Sequence, residues 1–124
     1  MSRDYLKANL VPELRNLGFR GSFPHFRRSR DGRNELLTIQ LDRYDSGKFV
    51  IELGVVPLGD FTTYYGKTIT PNKLTAHDLG ERLRLGAETK DGDHWFNVES
   101  EPIEQIFNLL ESQGGDYYRS CLLD

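Results

Sequence analysis

Between Phe23 and Pro57 apolar residues recur at every second position, and two turn signals, Asp31-Gly32 and Asp45-Ser46-Gly47, divide the stretch into three strands. Nothing else in the chain limits the fold as strongly, because each turn sets a register and each register decides which side chains share a face. A two-residue loop at Asp31-Gly32 sets Arg30 against Arg33, Phe26 against Leu37 and His25 against Thr38. A three-residue loop from Asp45 to Gly47 sets Arg43 against Phe49, Leu41 against Ile51, Gln40 against Glu52 and Ile39 against Leu53. Both turns put Phe26, Leu37, Ile39, Leu41, Phe49, Ile51, Leu53 and Val55 on one side, which is the expected core. The other side carries Phe23, His25, Arg27, Leu36, Thr38, Gln40, Asp42, Val50 and Glu52, and is expected to meet water, as antiparallel sheets with one solvated face do.

The flanking segments change period. Tyr5, Leu6, Leu10, Leu14 and Leu17 recur at helical spacing, with Ser2 as a cap, a kink or restart at Pro12, and Gly18 where a left-handed terminator is favoured. Pro57 to Leu74 reads as a long connection whose Phe61, Tyr64 and Tyr65 either cover a core edge or form an aromatic binding loop. Thr75 and Asp78 have capping-box spacing. Arg82 to Glu88 and His94 to Val98, around Asp91-Gly92, read as a further hairpin of unsettled register. Ser100-Glu101-Pro102 opens a helix whose stripe is Ile103, Ile106, Phe107 and Leu110, ending near Gly114, with a short helix in the tail. The expected fold is α+β: an antiparallel meander of about five strands with N-terminal and C-terminal helices packed on one face. At 124 residues it is expected to be one domain.

Charge is unevenly spread behind a net of −3. From Arg15 to Arg33 six arginines stand against one acid, whereas from Leu85 to Asp124 nine acids stand against Lys90 and Arg119. Such a basic patch can attract phosphate or an acidic surface, or the two ends can neutralise one another. No stretch is long and apolar enough for a membrane helix, and the first residues lack the apolar centre of a signal peptide. With Cys121 as the single cysteine, an internal disulfide and a Cys-rich zinc site are excluded, and a reducing cytoplasm is expected.

No catalytic motif stands out. His25, His77 and His94 lack a second ligand at metal-binding spacing, and Asp91, Asp93 and His94 are explained by turn chemistry, so no metal and no cofactor are expected. Cys121, beside Leu122 and Leu123, reads as an inert buried thiol. Gly18 and Gly21 precede a strand, the reverse of a phosphate-loop order, and no hydrolase elbow is present. Glu52 with His25 is the one acid and imidazole pair that the registers bring to a single face, and with Gln40 and Asp42 it makes a candidate polar ligand site. Arg27, Arg28, Arg30 and Arg33 are candidate anion ligands, and Phe61, Tyr64 and Tyr65 candidate aromatic ones. No residue is singled out as catalytic.

The order of Leu14, Leu17-Gly18-Phe19, Phe26-Arg27, Gln40, Phe49-x-Ile51-x-Leu53-Gly54-Val55, Arg84-Leu85-Gly86 and Trp95 resembles the bacterial domain of unknown function family 4304, from about Leu6 to Leu110. Members often carry a basic or polar residue and a Ser after the glutamine, where this chain has Leu41, Asp42 and Arg43. The resemblance implies a small bacterial cytosolic domain without a cofactor. Small proteins of this kind are sometimes immunity partners of secreted toxins, an analogy of size and charge.

Three readings follow. The first is a non-catalytic binding or interaction protein, an immunity-like or regulatory partner, monomeric or a small homo-oligomer, with a protein as its partner. The second is a small-ligand or enzymatic domain using His25, Gln40 and Glu52. The third, disfavoured by the acidic pI near 5.6, binds anions or nucleic acid through the Arg-rich first hairpin.

Overall fold

A computed structural model describes residues 2–44, 46–89, 92–100 and 102–120. The first hairpin forms as its turn residues demand. Asp31 (φ 54°) and Gly32 (φ 75°) both take left-handed backbone, and β2 (His25–Arg30) pairs with β3 (Arg33–Leu41) so that Phe26 opposes Leu37 and His25 opposes Thr38. The strand before them, β1 (Arg20–Ser22), pairs with β2 across a turn containing a cis Phe23–Pro24 peptide.

The second hairpin differs from expectation by two residues. β4 (Lys48–Pro57) pairs with β3 so that Leu41 opposes Phe49, Ile39 opposes Ile51 and Thr38 opposes Glu52. The cause is Asp42. Its carboxylate accepts hydrogen bonds from the Ser46 backbone N–H at 2.8 Å and the Ser46 hydroxyl at 2.5 Å, while the Asp42 N–H donates to the Lys48 carbonyl at 3.1 Å. The loop closed by those bonds is longer than three residues, and Asp45 itself lies outside the described ones. A slip of two preserves the faces, so the expected core set stays on the core side, but Gln40 now opposes Val50 rather than Glu52.

The main sheet has six strands in the order β1-β2-β3-β4-β7, with β8 also on β4. β7 (Leu83–Arg84) and β8 (Phe96–Asn97) do not form a hairpin with each other. Leu83 opposes Leu53 and Phe96 opposes Phe49, so the two strands follow one another along the edge of β4 that β3 leaves free.

One face of this sheet packs on helices. α1 (Ser2–Asn9) and α2 (Val11–Asn16) break at Leu10, with Pro12 in the first turn of α2, where its missing N–H is harmless. Leu6, Leu10 and Leu14 are each 0% exposed, and burial of each such side chain contributes about 1.5–3 kcal/mol. Gly18 (φ 95°) ends the helical region. α3 (Ile103–Leu109) starts after Pro102, later than the Ser100 start expected, and continues through a π turn (Leu110–Gly114) into α4 (Gly115–Ser120). Ile106, Leu110 and Tyr118 close the core, and the Tyr118 hydroxyl donates to the Leu36 carbonyl at 2.8 Å. Cys121 and the rest of the tail lie outside the described residues.

The other face departs from expectation. It is not open: Leu36, Val56, Ile69, Leu74, Ala76 and Leu79 form a second buried cluster, with Phe61 packed against it. The cover is the connection after β4, which contains a small ribbon of β5 (Phe61–Thr62) and β6 (Thr68–Ile69) and a one-turn 3-10 helix (Ala76–Asp78). The turn is capped as its spacing predicts, the Thr75 backbone N–H donating to Asp78 Oδ2 at 2.9 Å. Gly54 admits the cover, since a Cβ there would lie 2.5 Å from Leu79 Cδ1.

Candidate functional site

The register aligns four polar residues in one row across the covered face, His25 (β2), Thr38 (β3), Glu52 (β4) and Arg84 (β7). The row runs beside the 3-10 turn. His25 Nδ1 is 2.9 Å from Thr38 Oγ1, a residue only 1% exposed. Burial pushes the His25 imidazole below its ordinary pKa of 6.5, the neighbouring His77 adds to this, and Asp78 opposes it. The two imidazoles meet edge to face with centroids 5.6 Å apart.

Glu52 is 3% exposed, in contrast to the solvated position expected of it. Two arginines and a histidine from outside the strand close on its carboxylate. Arg84 Nε donates to Oε1 at 3.2 Å, while Arg82 Nη1 and His77 Nε2 each stand 3.1 Å from Oε2. Neither contact at Oε2 has hydrogen-bond geometry, so that oxygen is held by charge rather than by an aligned donor. Arg84 continues the chain outward. Its Nη1 binds Asp93, whose other oxygen accepts from Trp95 Nε1 at 3.2 Å, and its guanidinium lies 5.8 Å from the Trp95 ring centroid. The Arg84 bond holds the Asp93 carboxyl below the usual carboxylate range. Burial acts to lower the Arg84 pKa, but Asp93 and Glu52 outweigh it and raise the pKa.

Exposed aromatics flank these groups. Tyr65 donates its hydroxyl to Asp78 Oδ1 at 3.3 Å, Tyr64 packs edge-on against Tyr65, and Trp95 lies at the far end. Their exposures of 83% for Tyr64, 54% for Tyr65 and 39% for Trp95 set them apart from Phe61, which serves the second core. The two roles weighed for the aromatic connection are thus divided between its residues.

Of the polar candidates, His25 and Glu52 share the row, Gln40 sits two pairs further along beside Val50, and Asp42 is engaged in closing its turn. The arginines are arranged differently from a solvated strand. Arg28, Arg30 and Arg33 converge on Glu35, which is 0% exposed on the core face: Arg28 Nε lies 2.7 Å from Oε1, Arg33 Nη2 2.8 Å from Oε2, and Arg30 Nε 3.4 Å from Oε1. Arg28 also donates to the Leu17 carbonyl at 2.8 Å and stacks 4.3 Å over Phe19. Arg27 lies on the other face. Sequence reasoning missed Glu35, His77, Arg82, Asp93 and Trp95. For Glu35 the signal was present, because alternation already placed it on the core side with Leu37.

Among the described residues, no group of three or more His, Cys, Asp or Glu side chains is arranged to hold a metal ion, and no helix is long and apolar enough to cross a membrane. Neither the curated proteins nor the solved structures include a match to this chain. A family model does match, over residues 10–117, which takes in every strand among the described residues, the second core cluster, the main cluster apart from Leu6 and Tyr118, and the Glu52 row. The chain belongs to the family described as Domain of unknown function (DUF4304).

Proposed function

We propose that this is a non-catalytic protein-binding module, an immunity-like or regulatory partner, whose contact surface is the face formed by Tyr64, Tyr65, His77, Arg82, Arg84 and Trp95. The observation that carries this reading is the clamp on Glu52. A carboxylate buried under two arginines and a histidine is committed to pairing with them, which holds those side chains and, through Asp93, the Trp95 indole in fixed positions at the surface. Tyr, Trp and Arg side chains fixed in this way are the residue types that carry binding energy in protein interfaces, because they offer large contact area at small entropic cost. The test is affinity capture from the native host with the wild-type chain and with a Trp95→Ala/Tyr64→Ala variant. The reading expects one stoichiometric protein bound by the wild type and lost by the variant, with both chains melting at similar temperature. Capture of the same protein by both chains, or of none at low salt by the wild type, would count against it.

A further inference from the structure

Where β1 pairs with β2, Arg20 directly opposes Arg27, and like charges in such positions repel. Among the described residues, no carboxylate pairs with Arg20, Arg27 or Lys73. Their situation is unlike that of Arg28, Arg30 and Arg33, which share Glu35, and of Arg82 and Arg84, which share Glu52. Arg27 and Lys73 line a crevice of about 190 Å³ between the β1–β2 turn and residues 72–75, together with Ser22, Phe23, His25 and Asn72. Among the described residues no acidic side chain lines it. Asp78, the acid closest in the bonding pattern, is occupied by Thr75 and Tyr65. Asn72 accepts from Thr70 through Oδ1, which leaves its NH2 end as a donor.

A guanidinium, an ammonium, an amide and a hydroxyl around one small crevice, with no carboxylate in its lining, match a group that bears several acceptor oxygens and up to two negative charges. We propose that this crevice binds a small phosphate monoester, with Arg27 and Lys73 holding the phosphate and the Phe23 ring flanking the organic part. A lone carboxylate would leave one of the two cations uncompensated. The crevice adjoins the proposed protein-binding face where His25 meets His77, but Arg27 and Lys73 are not part of that face, so either reading can fail without the other.

The probes are inorganic phosphate and phenyl phosphate, titrated against the full chain by NMR, with sodium chloride matching ionic strength. Saturable shifts at the His25, Asn72 and Lys73 amides are expected, with phenyl phosphate the tighter ligand. Arg27→Gln/Lys73→Gln should weaken binding about tenfold or more, since each removes a charge-assisted contact. Lys73→Gln alone, at an exposed position, should weaken it by a smaller factor and covers the case in which the double variant does not fold. Shifts reproduced by chloride, binding unchanged in the variants, or no saturable shift would overturn the site. Equal affinity for the two probes would overturn the monoester assignment.

Discussion

Glu35 and Glu52 are both buried carboxylates met by arginines, and they sit three pairs apart in the same sheet, on opposite faces. Glu35 draws its partners from its own hairpin, at positions 28, 30 and 33, so its network forms when the Asp31-Gly32 turn closes. Glu52 draws on residues 77, 82 and 84, so its network forms only after the connection has crossed the sheet and β7 has paired. The partners also differ in wetness: two of the three around Glu35, Arg33 and Arg28, have side chains 1% and 14% exposed, with Arg30 alone at the surface at 42%, while those of His77, Arg82 and Arg84 are 40%, 35% and 29% exposed. One carboxylate secures a hairpin inside the core. The other fastens a cover to the sheet and keeps part of its network at the surface.

This contrast predicts unequal consequences. Glu35→Gln leaves the buried Arg33 guanidinium with only the exposed Asp31 carboxylate, 3.6 Å away, as counter-charge and should destabilise by about 3–5 kcal/mol in urea unfolding. Glu52→Gln removes charge from groups that water can partly reach, and should destabilise by about 2 kcal/mol. A larger loss for Glu52→Gln would invert the comparison. The smallest effect concerns His25. Its folded pKa lies below the ordinary 6.5, so the unfolded chain takes up a proton more readily, and stability should fall as pH drops through 6.5 and level off below the folded value. His77, Glu52, Asp78 and Thr38 are the groups around it. In His25→Gln, the slope of unfolding free energy between about pH 7.5 and 5.5 should be shallower than in the wild type. An unchanged slope would assign the pH response elsewhere.

How far these networks could be read from the residues depends on what set each register. The first hairpin was legible because Asp-Gly specifies a two-residue turn through its backbone alone. The second was misread by two residues because a side chain, Asp42, closes its loop, and periodicity carries no record of such a bond. Face assignment survived only because the slip was even. The cover over Leu36 and Val56 was illegible to pattern reading, since Ile69, Leu74, Ala76 and Leu79 follow neither a helical nor a strand period. Gly54, interior to a strand otherwise rich in branched residues, was the signal that something approaches there. The Glu52 network required two of these failures to be repaired, the register and the cover, and so was half visible: His25 and Glu52 were placed on one face, but their neighbours were not.

The most direct measurement is amide hydrogen exchange in Glu52→Gln compared with the wild type. If Glu52 fastens the cover, the amides of Leu74, Asp78 and Leu79, bonded within the connection to Thr70, Thr75 and Ala76, should lose protection well beyond those of β3 and β4. A uniform loss of protection across cover and sheet, or an unchanged cover, would contradict that role for Glu52.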